Sequence, residues 1–371
     1  MKLTFSHEQC LDLGQILELE WLEPNGLGGY ASSTLYDCHT RKYHGLLVAS
    51  LAKPEGKFVL LSKVETELVI RGANFDFSLN KYPGLYHPSG HNYVESVEYG
   101  LYPVITFRLG DIRLRRSTMM PKGQNTVIIK LELLSASEEA FVKLRPLLAY
   151  RDYHTTASTN GSFRTQTRTI DRGFAIDPYE GMPTLYMDLS KKNTWFHDPN
   201  WYYNLEYQVE QRRGLDFQDD LLCPGRFEVA MKKGDCLYVR GSIDQPTRPA
   251  EEIWNEELAR REAVHNSFAD DDELLQMIKT KSEHLIVRNP RGELSIIAGY
   301  HWFAEWGRDA MIALPGLTLY CDRFDEALEI LKTYAMHERG GLIPNYLANA
   351  SDNHAYNSVD ASLWFMLAAQ Q

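Results

Sequence analysis

Three short segments concentrate the side chains able to do chemistry. Trp302-Phe303-Ala304-Glu305-Trp306-Gly307-Arg308-Asp309 sets two indoles, an arginine and an aspartate at the mouth of a predicted helix. Beside aromatic faces, an Arg–Asp pair can grip vicinal sugar hydroxyls, the guanidinium donating and the carboxylate accepting. The same two residues also read as a structural ion pair plus a helix-entry acid. Tyr356-Asn357-Ser358-Val359-Asp360-Ala361-Ser362-Leu363-Trp364 places Asp360 in the first turn of a helix with Ser358 as its cap. An acid there complements the macrodipole, which lowers its pKa. A general acid needs the opposite, a pKa raised by burial or a neighbouring carboxylate. Both readings of Asp360 stay open on the residues alone. Gly341-Leu342-Ile343-Pro344-Asn345 is a rigid turn after a helix.

Other chemistries find no footing. The sequence holds no GxSxG, GxxxxGK[ST], HExxH or GxGxxG pattern. Gly26-Leu27-Gly28-Gly29-Tyr30 is glycine-rich, but no helix follows to receive a phosphate. His87 and His91 are four apart, yet Pro88 and Gly90 between them break a helical pairing, so no metal is expected there. The five cysteines (Cys10, Cys38, Cys223, Cys236, Cys321) are scattered, with no CxxC pair. They point to a reducing, cytoplasmic setting. No cofactor is implied.

Composition narrows the ligand. Lys and Arg total 39 against 50 Asp and Glu, a formal charge of −11, which disfavours nucleic acid and anionic membrane. A neutral substrate fits better. No apolar run approaches the roughly 20 residues that span a bilayer, and the first residues show no signal-peptide pattern. Aromatics reach 12 %, with 21 Tyr, 15 Phe and 7 Trp. Such rings suit the apolar faces of sugars, and equally the packing of a large β core.

The elements that must position these residues fall into two regions over 371 residues. Residues 1–245 read as β structure. Val127, Ile129, Leu131 and Leu133 alternate with Ile128, Lys130 and Glu132, and Gly110-Asp111 separates Ile105, Phe107 and Leu109 from Ile112 and Leu114 as a hairpin. Many strands without crossover helices predict a sandwich rather than a parallel sheet. Residues 246–266 are helix-prone and charged, a connecting helix. From 267 the pattern is helical. Asp271-Asp272-Glu273 opens a helix carrying Leu274, Ile278 and Leu285 as its apolar stripe and ending at Asn289-Pro290. Arg308–Tyr320 forms the next, disturbed by Pro315-Gly316. Asp322 caps another, with Phe324, Ala327, Leu328, Leu331 and Ala335 on one face and Gly340-Gly341 as its stop. The last begins at Ser358 and is apolar nearly all round, as a helix buried on every side would be.

Taken together, these segments resemble one family. Asn25-Gly-Leu-Gly-Gly-Tyr-Ala-Ser32 followed by Thr40-Arg-Lys-Tyr-His-Gly-Leu-Leu-Val-Ala49 is similar to the N-terminal signature of bacterial and archaeal-type glycogen debranching enzymes. Tyr82-Pro-Gly84 with His87-Pro88 also fits, as does the Trp201–Pro224 stretch containing Arg213-Gly-Leu-Asp216. Trp302-Phe303, Trp306-Gly-Arg-Asp309, Met311-Ile-Ala-Leu-Pro-Gly316, Gly341–Asn345 and Tyr356–Trp364 resemble the amylo-α-1,6-glucosidase catalytic domain of that family, in the family's order.

The resemblance implies an N-terminal β-sandwich followed by an (α/α)6 barrel, and inverting hydrolysis of the α-1,6-linked glucose at a branch point of glycogen or another branched α-glucan. It implies Asp360 as general acid, Arg308 and Asp309 as binders of the terminal glucose, and Trp302 and Trp306 as subsite walls. Tyr356 and Asn357 would contact or support the substrate, and Arg41, Tyr43 and His44 would form the pocket rim. The sequence departs from the family in holding about a third of the barrel's helices and no residue matching the downstream general base. Smaller departures are Glu305 and Ala310, where many relatives carry a small or acidic residue and Thr. The expectation is a C-terminally truncated member with little hydrolase activity of its own and with exposed apolar helix faces. The alternatives are another (α/α)6 glycosidase, glucoamylase- or trehalase-like, and a non-catalytic glycan-binding protein.

Overall fold

The computed structural model describes residues 2–371. Two antiparallel sheets stack face to face. The nine-stranded sheet runs Leu3–Ser6, Val94–Tyr99, Pro103–Leu109, Ile112–Met119, Thr126–Ser135, Cys236–Ser242, Leu185–Leu189, Gly173–Ile176 and Thr167–Ile170. The other runs Thr194–Glu206, Gln218–Met231, Ala140–Asp152, Glu55–Ile70, Gly45–Ala52, Tyr30–Thr34 and Glu20–Pro24, with Ala73–Asp76 paired beside Glu55–Ile70. Alternation decides which side chains fill the space between them. Val127, Ile129, Leu131 and Leu133 of one sheet meet Leu61, Leu68, Leu144 and Leu148 of the other in one core. The Gly110-Asp111 hairpin forms as its sequence predicts, with Leu109 opposite Ile112.

Both outer faces are partly covered, so the alternation is not simply apolar-in, polar-out. On the nine-stranded sheet, Met119, Ile128 and Tyr238 are buried under Ala250, Ile253 and Trp254. These three belong to a 17-residue helix, Ala250–Asn266, that leads out of the sandwich and lies back across it. On the other sheet, Tyr30, Val48, Val59, Leu147 and Leu221 form a second apolar patch, on which Tyr300 and Trp302 rest.

Seven α-helices are described: α1 (Leu13–Ile16), α2 (Gln208–Arg212), α3 (Ala250–Asn266), α4 (Glu273–Ser282), α5 (Gly307–Leu317), α6 (Phe324–Met336) and α7 (Asp360–Gln370). Ile286, Leu294, Ile296, Met311, Leu314, Ile330 and Tyr334 make the core of the C-terminal region.

Several expectations for this region are corrected. The helix opened by Asp272 ends at Ser282, not at Asn289, because the β-branched Ile286-Val287 pairs instead with Leu294–Ile296 around a turn at Gly292. Its supposed stripe is exposed, Leu274 and Ile278 each at 57 %, while Thr280 and Ser282 are buried. Polar partners explain the reversal: Thr280 bonds His265 at 3.0 Å, and Ser282 lies 3.4 Å from the Cys321 sulfur. Asp322 does not cap α6; it sits in the left-handed region with φ 55°, closing the turn Leu319–Cys321. The buried face of α6 is Ala327, Ile330, Thr333 and Tyr334, leaving Phe324 60 % exposed. Leu363, Met366 and Leu367 of α7 are exposed, in line with the expected exposed apolar helix faces.

A charge network ties α3 and α4 to the sandwich. Arg261 donates from Nε to Glu257 (2.7 Å), from Nη1 to Glu23 (2.6 Å) and to the Leu101 carbonyl (2.7 Å), and from Nη2 to the Met120 carbonyl (2.9 Å). Arg260 bridges Glu257 and Glu283, and Lys122 reaches Glu283 at 3.0 Å. Burial would raise the Glu283 carboxyl, but Arg260 and Lys122 take it down to about 2.

Candidate active site

The chemistry-bearing segments converge. Gly307 opens α5 and has no room for a side chain, since a Cβ there would stand 2.1 Å from the Pro344 carbonyl oxygen. Its N–H donates to the Asn345 carbonyl at 2.8 Å. Trp306, just before it, packs edge-on against Tyr346 with ring centroids 5.7 Å apart. The turn Gly341–Asn345 is therefore the seat on which Trp306-Gly307-Arg308-Asp309 rests. The third segment joins the same seat: Asn345 Nδ2 donates to Asn357 Oδ1 at 3.2 Å, and Ser362 Oγ accepts from the Ile343 N–H at 3.0 Å.

At the meeting point the Arg308 Nε lies 3.2 Å from Asp360 Oδ2. Both side chains are solvent-accessible. Ser358 donates its hydroxyl to Asp360 Oδ1 and accepts from the Ala361 N–H at 3.3 Å, so it does cap the helix end. The Ser358 hydroxyl first, and the Arg308 charge with it, hold the Asp360 carboxyl below its usual range. As built, Asp360 is a carboxylate. Asp309, one residue along α5, is exposed and forms no ion pair among the described residues. Tyr356 gives its hydroxyl to the His337 carbonyl at 2.7 Å and lies under Arg339.

The β-domain residues expected at the rim divide. Arg41 is partly exposed: its Nε donates to Glu20 at 2.6 Å and its guanidinium lies 5.2 Å from the Trp302 ring centre. Tyr43 is nearly buried, its ring 5.8 Å from Trp302 and its hydroxyl 3.1 Å from His154. His44 is fully buried and lies beneath the rim rather than on it, because its Nδ1 accepts from the Thr40 and Arg41 N–H groups (3.2 and 3.4 Å) and so fixes the turn.

His44, Glu20 and His301 bring their ligand atoms within 4.8 Å of one another, a grouping of metal-ligand type that their spacing in sequence conceals. Their hydrogen bonds oppose a metal. With Nδ1 accepting two backbone donors, His44 carries its proton on Nε2, which lies 3.2 Å from Glu20 Oε1 without hydrogen-bond alignment. Ser32 donates to the Trp21 carbonyl at 2.8 Å, so at 2.9 Å it accepts from His301 Nε2. Burial would raise the Glu20 carboxyl; His44 and Arg41 together bring it to about 2. The trio is a positioning network for Arg41.

Sequence reasoning passed over Glu305 as a functional position. It is buried, its carboxyl pushed up by burial against the opposing pull of Lys57. With the Asn349 amide turned so that its nitrogen faces the acid, that nitrogen donates to both Glu305 oxygens, at 2.9 and 3.1 Å. Its clue in sequence is an acid inside an otherwise aromatic motif.

Sheet sandwich, helical region and an Arg–Asp pair at two helix starts together fit a carbohydrate-active class of protein. Comparison narrows the class. Residues 19–238 match the family described as glycogen debranching enzyme N terminal, and residues 279–371 match amylo-alpha-1,6-glucosidase. The chain belongs to the glycogen debranching enzyme family. It is 47 % identical over 66 residues to a glycogen debranching enzyme of Saccharomyces cerevisiae, a match covering 18 % of this chain and 4 % of the yeast protein. The chain thus spans a small part of that relative's length. Among solved structures, a bacterial glucoamylase complexed with acarbose matches with TM-score 0.40 and 12 % identity, over 88 % of this chain and 49 % of that one. A kojibiose phosphorylase from human microbiome matches with TM-score 0.32 and 10 % identity, over 78 % and 39 %. Among the described residues no helix is long and apolar enough to cross a membrane.

Proposed function

We propose that the protein serves hydrolysis of α-1,6-linked glucose at branch points of glycogen or a limit dextrin, by an inverting acid/base mechanism. In this reading residues 1–245 are a sandwich domain, 246–266 the linker helix, and 267–371 the beginning of an (α/α)6 barrel. Arg308 and Asp309 bind the terminal glucose, Asp360 protonates the departing oxygen, and Trp302 and Trp306 wall the subsite, with Tyr356 and Asn357 beside it. The observation that supports this reading best is the 3.2 Å contact between Arg308 and Asp360, which sets a sugar-binding donor beside an acid at the starts of two helices. Inversion also needs a base carboxylate, about 6.5–9.5 Å from the acid, to activate water. No residue of the sequence matches the family's base, so this polypeptide alone releases little glucose.

Incubation with a branched limit dextrin tests the reading. The expected result is saturable dextrin binding that Arg308→Ala weakens, with glucose release near background. Rapid glucose release by the unmodified chain would overturn the expected inactivity, and the anomer first formed would report inversion or retention. Release from linear α-1,4 oligosaccharides but not from α-1,6 branches would favour the glucoamylase-like alternative. Absence of both binding and release would overturn the glucan reading.

A further inference from the structure

Arg213, in the Arg213–Asp216 motif after α2, has no part in the chemistry assigned above. It reaches the catalytic segment all the same: its guanidinium lies over the Trp302 ring at 5.2 Å, as does that of Arg41. A guanidinium lying over an indole uses its face for the ring and leaves its in-plane N–H groups for other partners. Those of Arg213 make no hydrogen bond among the described residues, although the side chain is 46 % exposed. Beneath it lies Glu210 of α2, fully buried, with neither carboxylate oxygen hydrogen-bonded and the nearer one 3.5 Å from Arg213 Nη1. The Thr40 hydroxyl, also buried, has no partner, and the Thr40 carbonyl accepts from the Val209 N–H at 2.9 Å. A buried carboxylate without hydrogen bonds is costly unless a partner supplies them.

Charge at this seam selects the ligand class. Arg41 is paired with Glu20 at 2.6 Å, and Arg213 stands beside Glu210, so two cations meet two anions. An anionic ligand gains little net attraction there. A polyol gains both ways, since a hydroxyl can accept from a guanidinium and donate to the partly exposed Glu20 carboxylate. Trp302, which is only partly buried, adds ring surface at the seam.

We propose that Arg213, Arg41 and Trp302, backed by Glu210, form a subsite at the seam between the sandwich and the catalytic segment that binds a run of neutral α-glucose units. The subsite rests on the glucan reading above and extends it to a surface that the sandwich domain supplies. It makes the sandwich a reader of the chain that carries the branch.

Titration calorimetry of the full 371-residue chain with maltotetraose and, separately, with inorganic phosphate tests it. Arg213→Ala, at a half-exposed position, is expected to weaken maltotetraose binding at least about fivefold, the loss of one charged hydrogen bond. Arg226→Ala, whose guanidinium covers Phe196 at 4.6 Å, serves as the control and leaves binding unchanged. Glu210→Gln keeps the shape but removes one anion, and is expected to gain phosphate affinity. Should Glu210→Gln fail to fold, Arg213→Ala still decides. Unchanged maltotetraose binding in Arg213→Ala would overturn the subsite while leaving the glucan reading intact. Phosphate binding by the unmodified chain that exceeds maltotetraose binding and disappears in Arg213→Ala would overturn it in favour of an anion site. Binding of neither probe would also overturn it, and the branched-dextrin assay then reports independently whether the glucan reading falls too.

Discussion

Replacing Arg261 with methionine should loosen the helical region from the sandwich, and the structure sets the size of the effect. Arg261 makes four hydrogen bonds, two of them to buried carboxylates, Glu23 and Glu257. Glu257 keeps Arg260 as a partner at 2.9 Å. Glu23 keeps none within ion-pair range among the described residues, and its other oxygen already lacks a hydrogen bond. Removing one member of a buried pair costs about 3–5 kcal/mol. At about 2 °C per kcal/mol for a chain of this length, the melting temperature falls by about 6–10 °C.

The pH dependence gives a sharper check. Burial already raises the Glu23 carboxyl, and Arg261 is the first of the charges that oppose this. Without Arg261 its folded pKa rises further above the unfolded value. Between those two values the folded state binds more protons than the unfolded state, so stability falls as pH rises through the window. The loss in Arg261→Met is therefore larger at pH 8 than at pH 5.5. The double variant Glu23→Gln/Arg261→Met, which leaves no buried charge unpaired, should recover most of the loss. Urea denaturation followed by far-ultraviolet circular dichroism measures all three chains. A loss below about 1 kcal/mol in Arg261→Met, or the same loss at both pH values, would refute the reasoning.

Two further predictions concern the candidate site. Gly307→Ala forces a methyl group to within 2.1 Å of the Pro344 carbonyl oxygen; thermal melting should show a loss of about 1–3 kcal/mol, accompanied by weaker dextrin binding. Arg308→Gln removes a cation that helps to hold Asp360 ionised; carbon-detected NMR titration should show the Asp360 carboxyl titrating at higher pH than in the unmodified chain, and an unchanged midpoint would show that Ser358 alone sets it.

The sandwich was legible in the sequence because its signal is local. Period-two runs such as Val127–Leu133 and the Gly110-Asp111 turn report their own conformation, whatever they pack against. Ile128 escaped that logic, since its burial depends on α3, more than a hundred residues away in the chain. The helices misled in the same way. Leu274, Ile278 and Phe324 have helical spacing, yet the faces that pack are chosen by partners: the His265–Thr280 bond for α4, and the Ile330 and Tyr334 contacts for α6. Single-element periodicity says that a face is apolar, not that something covers it. The chemical segments were legible as types and not as a site. Nothing in Gly341–Asn345 shows that its backbone seats Gly307, and nothing in the spacing of Glu20, His44 and His301 shows that they meet. Glu210 and Arg213 were visible only as part of a motif, because their meaning lies in Trp302, which the fold brings from the other end of the chain.

The pairing of Arg308 with Asp360 bears on how the proposed reaction begins. A general acid must hold a proton when the glycosidic oxygen leaves, yet Ser358 and Arg308 stabilise the carboxylate of Asp360. The two roles proposed for these residues share one guanidinium, whose Nε faces Asp360 and whose Nη groups are left for the sugar. In that reading, glucose hydroxyls that accept from Arg308 weaken its hold on Asp360, and a bound sugar displaces water from the acid; both changes raise the Asp360 pKa. In the proposed reaction the sugar thereby helps to create the acid. In the free chain the same ion pair keeps a solvent-accessible acid ionised, so in the proposed reaction recognition by Arg308 comes before proton delivery by Asp360.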